Sequence, residues 1–115
     1  MITRYEELTT DIRPQLKDGI GDTTILNITD RDGLNDKGRL YSIMSLEPGS
    51  SIGKHTHINE REIYQILEGT GLIYDNGKDV IVKPGDVHIT YSSEVHGISN
   101  IGNTPLKFIA LIIMN

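Results

Sequence analysis

Short apolar segments alternate with turn-forming residues along nearly the whole chain of 115 residues, and no amphipathic helix separates them. Several segments are rich in β-branched residues, and Asn76-Gly77 is a strong hairpin signal because both residues tolerate positive φ. The predicted strands are 23–28, 40–49, 62–69, 71–78, 79–86, 88–91, 96–100 and 106–114. Short strands at nearly even spacing predict an all-β fold, an antiparallel barrel or sandwich.

The length and a hydrophobic content of 37% predict a single domain with its own core. Residues 40–115 are predicted to form the barrel. Residues 1–39 are an N-terminal segment with a short turn and one or two strands, which we expect to pack on the barrel or on a partner subunit. Within this segment, YEELTTDIRPQL predicts a short frayed helical turn that ends at Pro14.

Charge and composition narrow the classes of partner. A net charge of −5 predicts a surface that repels nucleic acid and anionic lipid, so neither is an expected partner. The N-terminus lacks the apolar core of a secretory signal and no run reaches membrane-spanning length, which predicts a cytoplasmic protein. The chain has no cysteine, so disulfides and thiolate chemistry are excluded and histidine and carboxylate side chains remain for any metal site.

The last predicted strand, LKFIALIIM (106–114), is apolar on both faces. Alternation places Phe108 and Ala110 on one face and Ile109 and Leu111 on the other. One face can fill the barrel, and the other needs cover. We expect a second subunit to supply this cover in a homodimer; the alternative is that the N-terminal residues fold back over it.

The segment KHTHINEREIY (54–64) carries the strongest chemical signal. In a strand, residues two apart point to the same face, so His55 and His57 direct both imidazoles into one space. After a turn, the next strand can bring the carboxylate of Glu62 to the same place. The same alternation places Tyr64 and Ile66 inward with Glu62 and turns the residues between them outward.

Two sequence motifs resemble those of the cupin superfamily. GSSIGKHTHINEREIYQILEG resembles the first cupin motif, which it matches at Gly49, His55, His57, Glu62 and Gly69. GDVHITYSSEVHGISN resembles the second, which it matches at Gly85, His96 and Asn100. Tyr91 and Ser93 stand where the motif has proline and glycine, so the departures fall in a turn. The segments PGSSIG, DNGKDV and GDV further resemble small single-domain bacterial cupins of the conserved-barrel, oxalate-decarboxylase-like type.

This resemblance implies a jelly-roll barrel that holds one divalent transition metal on four ligands, His55, His57, Glu62 and His96. Such a donor set suits Mn, Fe, Co, Ni or Zn, and the resemblance favours Mn or Fe. It implies a metal-dependent enzyme, a lyase or an oxidoreductase, acting on a small carboxylate at open coordination positions. The alternative is a non-catalytic module that binds or senses a small ligand. A third possibility, a metal-free structural barrel, requires that the four ligands do not converge.

Catalytic residues are not identified by the sequence, and Glu60, His88 and Tyr64 are the candidates. We expect Glu60 to be a solvated carboxylate at the rim and Tyr64 to be part of the pocket wall. His88 either faces the cavity as a proton carrier or faces outward, and the outward orientation is the expected one. Glu94 is a further possible proton donor. The remaining basic candidates for binding an anionic substrate, Arg39 and Lys83, are expected to be ordinary surface charges.

Overall fold

A computed structural model describes residues 1–115 and contains ten β-strands. The strands are β1 Thr10–Pro14, β2 Asp22–Thr29, β3 Gly38–Leu46, β4 Ser51–Thr56, β5 Glu60–Glu68, β6 Gly71–Asp75, β7 Lys78–Val82, β8 Val87–Thr90, β9 Val95–Asn100 and β10 Leu106–Met114. The only helical elements are two 3₁₀ turns, Tyr5–Glu7 and Leu16–Asp18. No helix is long and apolar enough to cross a membrane.

The strands form two sheets in which all neighbours are antiparallel. The larger sheet has the order β1-β2-β3-β10-β5-β8, and the smaller has the order β4-β9-β6-β7. Consecutive strands therefore often lie in different sheets, as in a jelly roll. The predicted all-β, antiparallel, single-domain fold is confirmed, and the Asn76-Gly77 hairpin joins β6 to β7 with both residues at positive φ.

The core lies between the inner faces of the two sheets. On β10, Leu106, Phe108, Ala110 and Ile112 are buried, whereas Ile113 is partly exposed on the outer face. Ile66 and Ile73 join this cluster from β5 and β6. The alternation on β5 is as predicted, because Glu62, Tyr64 and Ile66 are buried and the residues between them are not. The apolar residues thus fill one end of the interior and leave polar residues at the other.

The N-terminal segment extends the larger sheet. β1 pairs with β2 at one edge of the sheet, and β2 and β3 lie between β1 and β10. β1 therefore does not cover the outer face of β10. The prediction of a helical turn that continues to Pro14 is wrong, because the 3₁₀ turn ends at Glu7 and Thr10–Pro14 is a strand. Its pairing with β2 outweighs the local helical preference of the segment.

Asn100, the last residue of the second motif, has a structural role. Its buried side-chain amide donates hydrogen bonds to the carbonyl oxygens of Leu46 (2.8 Å) and Thr104 (2.9 Å), and its Oδ1 accepts one from Gly102 N (2.9 Å). These bonds tie the loop before β10 to the end of β3. They satisfy backbone groups that would otherwise be unpaired at the apolar end of the barrel.

Candidate metal centre

Four predicted ligands converge at the polar end of the interior. His55 lies on β4, His57 follows one residue after β4 ends, Glu62 lies on β5 and His96 lies on β9. Their ligating atoms all lie within 4.8 Å of one another. His96 Nε2 is 3.0 Å from the Nε2 atoms of both His55 and His57, and Glu62 Oε1 is 2.9 Å from His57 Nε2 and 3.1 Å from His96 Nε2.

The strand pairing explains this convergence. β4 pairs with β9 so that His55 lies directly opposite His96, and a register irregularity between Ile52 and His55 turns the end of β4. Asn59 then takes a left-handed conformation, with φ of 58°, so that the chain turns back into β5. Asn adopts this conformation at a lower cost than most residues. The turn brings Glu62 beside the two histidines that precede it.

Each imidazole has an acceptor on the side away from the cluster. His55 Nδ1 is 2.7 Å from the carbonyl oxygen of Gly53, His57 Nδ1 is 2.6 Å from Glu60 Oε2, and His96 Nδ1 is 2.7 Å from Thr90 Oγ1. A carbonyl or a carboxylate oxygen can only accept, so the contacts of His55 and His57 place a proton on Nδ1, and the threonine hydroxyl can accept from His96 in the same way. When the three imidazoles are neutral with the proton on Nδ1, as in a metal-bound centre, their Nε2 lone pairs are free to bind an ion.

Three Nε2 lone pairs and a carboxylate oxygen therefore point at one small volume. Such an arrangement is repulsive unless a metal ion or protons shared between the groups lie between the atoms. Imidazole nitrogen with one carboxylate is a donor set that first-row transition metals accept. The cluster is thus chemically suited to a metal ion, and its Nδ1 partners are the outer contacts that normally fix the orientation of metal-bound histidines.

The pKa shifts agree with a cluster that carries negative charge. Burial disfavours the charged form of Glu62, but hydrogen bonds with His57 and His96 hold its pKa at about 2. Burial also opposes protonation of His57, yet its hydrogen bonds to Glu62 and Glu60 raise its pKa above the ordinary value. The pKa of His55 is lowered, chiefly by burial. Glu62 is therefore ionised at neutral pH and available as a ligand.

Glu60 is not the solvated rim carboxylate that was predicted. Its side chain is only 13% exposed and contacts His57 Nδ1. Arg39, which was expected to be an ordinary surface charge, binds both carboxylate oxygens through Nε and Nη2 at 2.7 Å each. The hydrogen bonds from Arg39 are the largest cause that lowers the pKa of Glu60 to about 2. Sequence reasoning missed this contact because it depends on how β3 pairs with β10.

His88 also departs from the prediction, because it faces inward. Its ring is nearly parallel to that of His96, with centroids 5.8 Å apart, and its Nε2 is 3.1 Å from Asp75 Oδ1. His88 and Asp75 line a cleft of about 300 Å³ between β6, β7 and β8. His88 is paired with Tyr64 across β5 and β8, so knowledge of that pairing would have placed both side chains on the same face.

Tyr64 and Thr90 complete the surroundings of His96. The Tyr64 ring stacks on His96 with centroids 5.1 Å apart, and burial, together with the charge of Glu62, raises the pKa of Tyr64 well above its ordinary value. Tyr64 thus lies buried beside a ligand rather than at an exposed edge. Thr90 was not identified from the sequence. Thr90 lies two residues after His88 on β8, so the two side chains are on the same face, and this spacing could have identified it.

The turn of the second motif is closed by hydrogen bonds although it lacks the motif's proline and glycine. Ser93, at the position where the motif has glycine, adopts φ of 75°, and its N–H donates to the carbonyl oxygen of His57 at 2.7 Å. Glu94 Oε1 accepts from Tyr91 N at 2.8 Å, so its carboxylate stabilises the turn. The remaining basic candidate, Lys83, is exposed in the loop between β7 and β8.

Comparisons with known proteins agree with this geometry. A family model described as a cupin domain matches residues 42–112. A protein of Thermotoga maritima named oxalate-binding protein is 44% identical over 114 residues, which cover 99% of this chain and 94% of that protein. The crystal structure of a predicted oxalate decarboxylase from Thermotoga maritima superposes with a TM-score of 0.95 at 43% identity and covers both chains completely.

A more distant structure shares the fold. An uncharacterised conserved protein with a double-stranded β-helix domain from Klebsiella pneumoniae superposes with a TM-score of 0.71 at 21% identity, covering 98% of this chain and 89% of that one. At this identity the likeness concerns the fold alone. The architecture is therefore shared well beyond the proteins with related sequences.

Proposed function

Because this chain belongs to the cupin domain family, we propose that it is a metal-dependent enzyme that binds a small carboxylate of the oxalate type. One divalent transition metal would be held by His55, His57, Glu62 and His96. The observation that carries the proposal is the convergence of three imidazole Nε2 atoms and one carboxylate. The reaction would be that of a lyase or an oxidoreductase.

The charge of this centre supports an anionic ligand. Three neutral imidazoles and one carboxylate leave a divalent ion with a net charge of about +1. A small carboxylate is attracted to such a centre even though the chain as a whole carries −5. Four protein ligands also leave positions open on a six-coordinate ion. When bound, the metal supplies a Lewis acid that polarises a ligand oxygen.

The protein's own side chains control access to the centre. His57, Glu62 and His96 are buried, whereas His55 is only partly buried, so a ligand is expected to approach from the side of His55. Tyr64 stacks on His96 and shields that face of the ring from water, and Phe108 packs against Tyr64. His88 is the one histidine outside the proposed ligand set and lies beside His96, so we propose it as the first catalytic candidate to test.

Mn and Fe are the ions we propose first, with Ni, Co and Zn as alternatives. The donor set contains no thiolate, which disfavours ions that prefer sulfur, and it contains only one carboxylate, which disfavours Ca²⁺ and Mg²⁺. Affinities of nitrogen and oxygen sites rise from Mn²⁺ towards Cu²⁺, so the ion found in the protein depends on availability as well as on the ligands.

A non-catalytic binding module is the second candidate function. The relative named oxalate-binding protein favours it, because binding alone would require the same metal and the same open positions. The chain would then lose affinity when the metal is removed but would have no turnover to lose. The two candidates thus differ only in whether products appear.

Calorimetric titration with oxalate tests both candidates. Oxalate is expected to bind the Mn²⁺-loaded protein and not the metal-free protein, with acetate as the control ligand. Formate and CO₂ assayed in the same samples then separate an enzyme from a binding module. Equal oxalate affinity with and without metal would contradict both forms of the proposal.

A homodimer is proposed through the outer face of the larger sheet. Leu67, Val87, Ile89 and Ile113 lie on this face and are between 37% and 57% exposed, and β1 does not cover them. Several exposed apolar side chains on one face of a sheet are typical of a subunit interface. Analytical ultracentrifugation should give a dimer that Ile89→Lys weakens, and a monomeric wild-type protein would contradict the proposal.

A further inference from the structure

Arg39 and Glu60 form an ion pair beside the proposed metal centre, in which Glu60 is mostly buried and Arg39 is exposed. Neither residue is a proposed ligand. Glu60 Oε2 lies 2.6 Å from His57 Nδ1 and 2.7 Å from Arg39 Nη2, and Glu60 Oε1 lies 2.7 Å from Arg39 Nε. From this geometry we infer that the Arg39–Glu60 pair is a positioning device that orients His57 for metal binding and keeps the centre's net charge positive. The inference rests on the proposed function, since it concerns the same centre.

The three histidines have unequal partners, and His57 has the strongest one. His55 donates to a neutral carbonyl and His96 to a neutral hydroxyl, whereas His57 donates to an ionised carboxylate. A charged acceptor forms a stronger hydrogen bond and makes the opposite ring nitrogen a better electron donor. Loss of the carboxylate should therefore weaken the metal bond of His57 more than the bonds of the other two histidines.

The positive charge of Arg39 compensates for the negative charge that Glu60 brings close to the centre. A second carboxylate beside a centre of net charge about +1 would cancel that charge and weaken the attraction for an anionic ligand. The guanidinium neutralises Glu60, so the carboxylate orients His57 without changing the sign of the centre. Because the guanidinium is planar, it holds both oxygens at once and fixes the plane of the carboxylate.

An irregularity in the sheet places Arg39 where it can do this. Along β10, Ile112 is opposite Leu40 and Ile113 is opposite Gly38, so Arg39 is an extra residue in β3. Such a bulge redirects a side chain that regular alternation would send elsewhere. A Cβ at Gly38 would lie 2.7 Å from the carbonyl oxygen of Ile112, so glycine allows the strands to approach closely at this point. The bulge therefore allows the Arg39 side chain to contact Glu60.

Cobalt titration of two variants tests the inference. Glu60→Gln keeps the size of the side chain but removes its charge, and we expect Co²⁺ to bind about 10- to 100-fold more weakly, as for other partners of metal-bound histidines. Arg39→Lys keeps the positive charge but cannot hold both oxygens, and we expect a smaller loss of affinity. Both variants should also shift the d–d absorption of bound Co²⁺, which reports the ligand geometry.

Matched controls separate this role from a general effect on folding. Glu68→Gln and Arg13→Lys change the same residue types at exposed positions and should leave the Co²⁺ affinity and spectrum unchanged. Thermal unfolding of the metal-free variants shows whether each one folds. If Glu60→Gln and Arg39→Lys bind Co²⁺ with wild-type affinity and spectrum, the inference is overturned. If wild type itself binds no Co²⁺, the proposed metal centre fails instead.

Discussion

Thr23 and Thr90 are both buried threonines on inner strand faces, yet their surroundings are opposite. Thr23 lies opposite Leu46 at the apolar end of the barrel, and its hydroxyl has no hydrogen-bond partner. Thr90 lies opposite Glu62 at the polar end, and its hydroxyl contacts His96 Nδ1. The apolar end is stabilised mainly by burial of apolar side chains, whereas the polar end brings together groups that repel one another until a cation joins them.

Folding and metal binding are therefore expected to depend on separate residues. The apolar cluster holds the two sheets together without using any proposed ligand. The polar end can therefore bring four ligands together before an ion arrives, because the rest of the barrel supplies the stability. A change at the apolar end should alter the free energy of unfolding and leave metal affinity unchanged. A change at the polar end should alter metal affinity and leave the free energy of unfolding of the metal-free protein nearly unchanged.

His57→Ala should have the largest effect at the polar end. It removes a ligand and leaves Glu60 without its imidazole partner, so stoichiometric metal loading should be lost. The apolar cluster is untouched, so circular dichroism and the thermal midpoint of the metal-free variant should stay close to those of metal-free wild type. Loss of the folded state in this variant would mean that the centre is structural.

Phe108→Ala should have the corresponding effect at the apolar end. Phe108 is fully buried, and its truncation should lower the free energy of unfolding by about 3–5 kcal/mol through lost burial and a cavity. Urea denaturation measures this loss, with the exposed Ile12→Ala as the control. Metal affinity of the folded fraction should be unchanged, and a large loss of that affinity would contradict the separation of the two ends.

Thr90→Val tests whether the hydroxyl matters through His96. The substitution preserves shape but removes the acceptor for Nδ1, so metal affinity should fall by about 10- to 100-fold. Competition with a metal-binding dye gives the affinity, and Thr24→Val on the outer side of β2 is the control. An unchanged affinity would show that stacking against Tyr64 is enough to orient His96.

Thr23→Val should have the smallest effect and the opposite sign. It removes a buried hydroxyl that has no partner, so the free energy of unfolding should rise by about 1–3 kcal/mol. Urea denaturation again provides the measurement, and metal affinity should not change. Destabilisation by this variant would indicate that the hydroxyl has a hydrogen-bond partner in the protein.

The sequence predicted the fold class and the four converging residues because both depend on local patterns. Alternation of apolar residues identified most strands, and two motifs with fixed spacing identified His55, His57, Glu62 and His96. β1 escaped prediction because all its residues are exposed and no apolar alternation marks it. Its existence depends on pairing with β2, which a local pattern does not reveal.

The outer contacts of the centre required knowledge of strand pairing. Arg39 reaches Glu60 through a bulge that has no local sequence signal, so both residues looked like surface charges. His88 faces inward because β8 pairs with β5, and the register of that pairing fixes the face. Residues that act through a neighbouring strand are therefore those that the sequence alone predicted least well.

Elemental mass spectrometry of wild type and His57→Ala, both purified without chelator, shows whether the four converging residues hold a metal ion. We expect about one transition-metal ion per wild-type chain, Mn or Fe first, and none in the folded variant. The proposed metal centre would be contradicted if the wild-type protein contained no metal above background and did not bind added Mn²⁺, Fe²⁺ or Co²⁺.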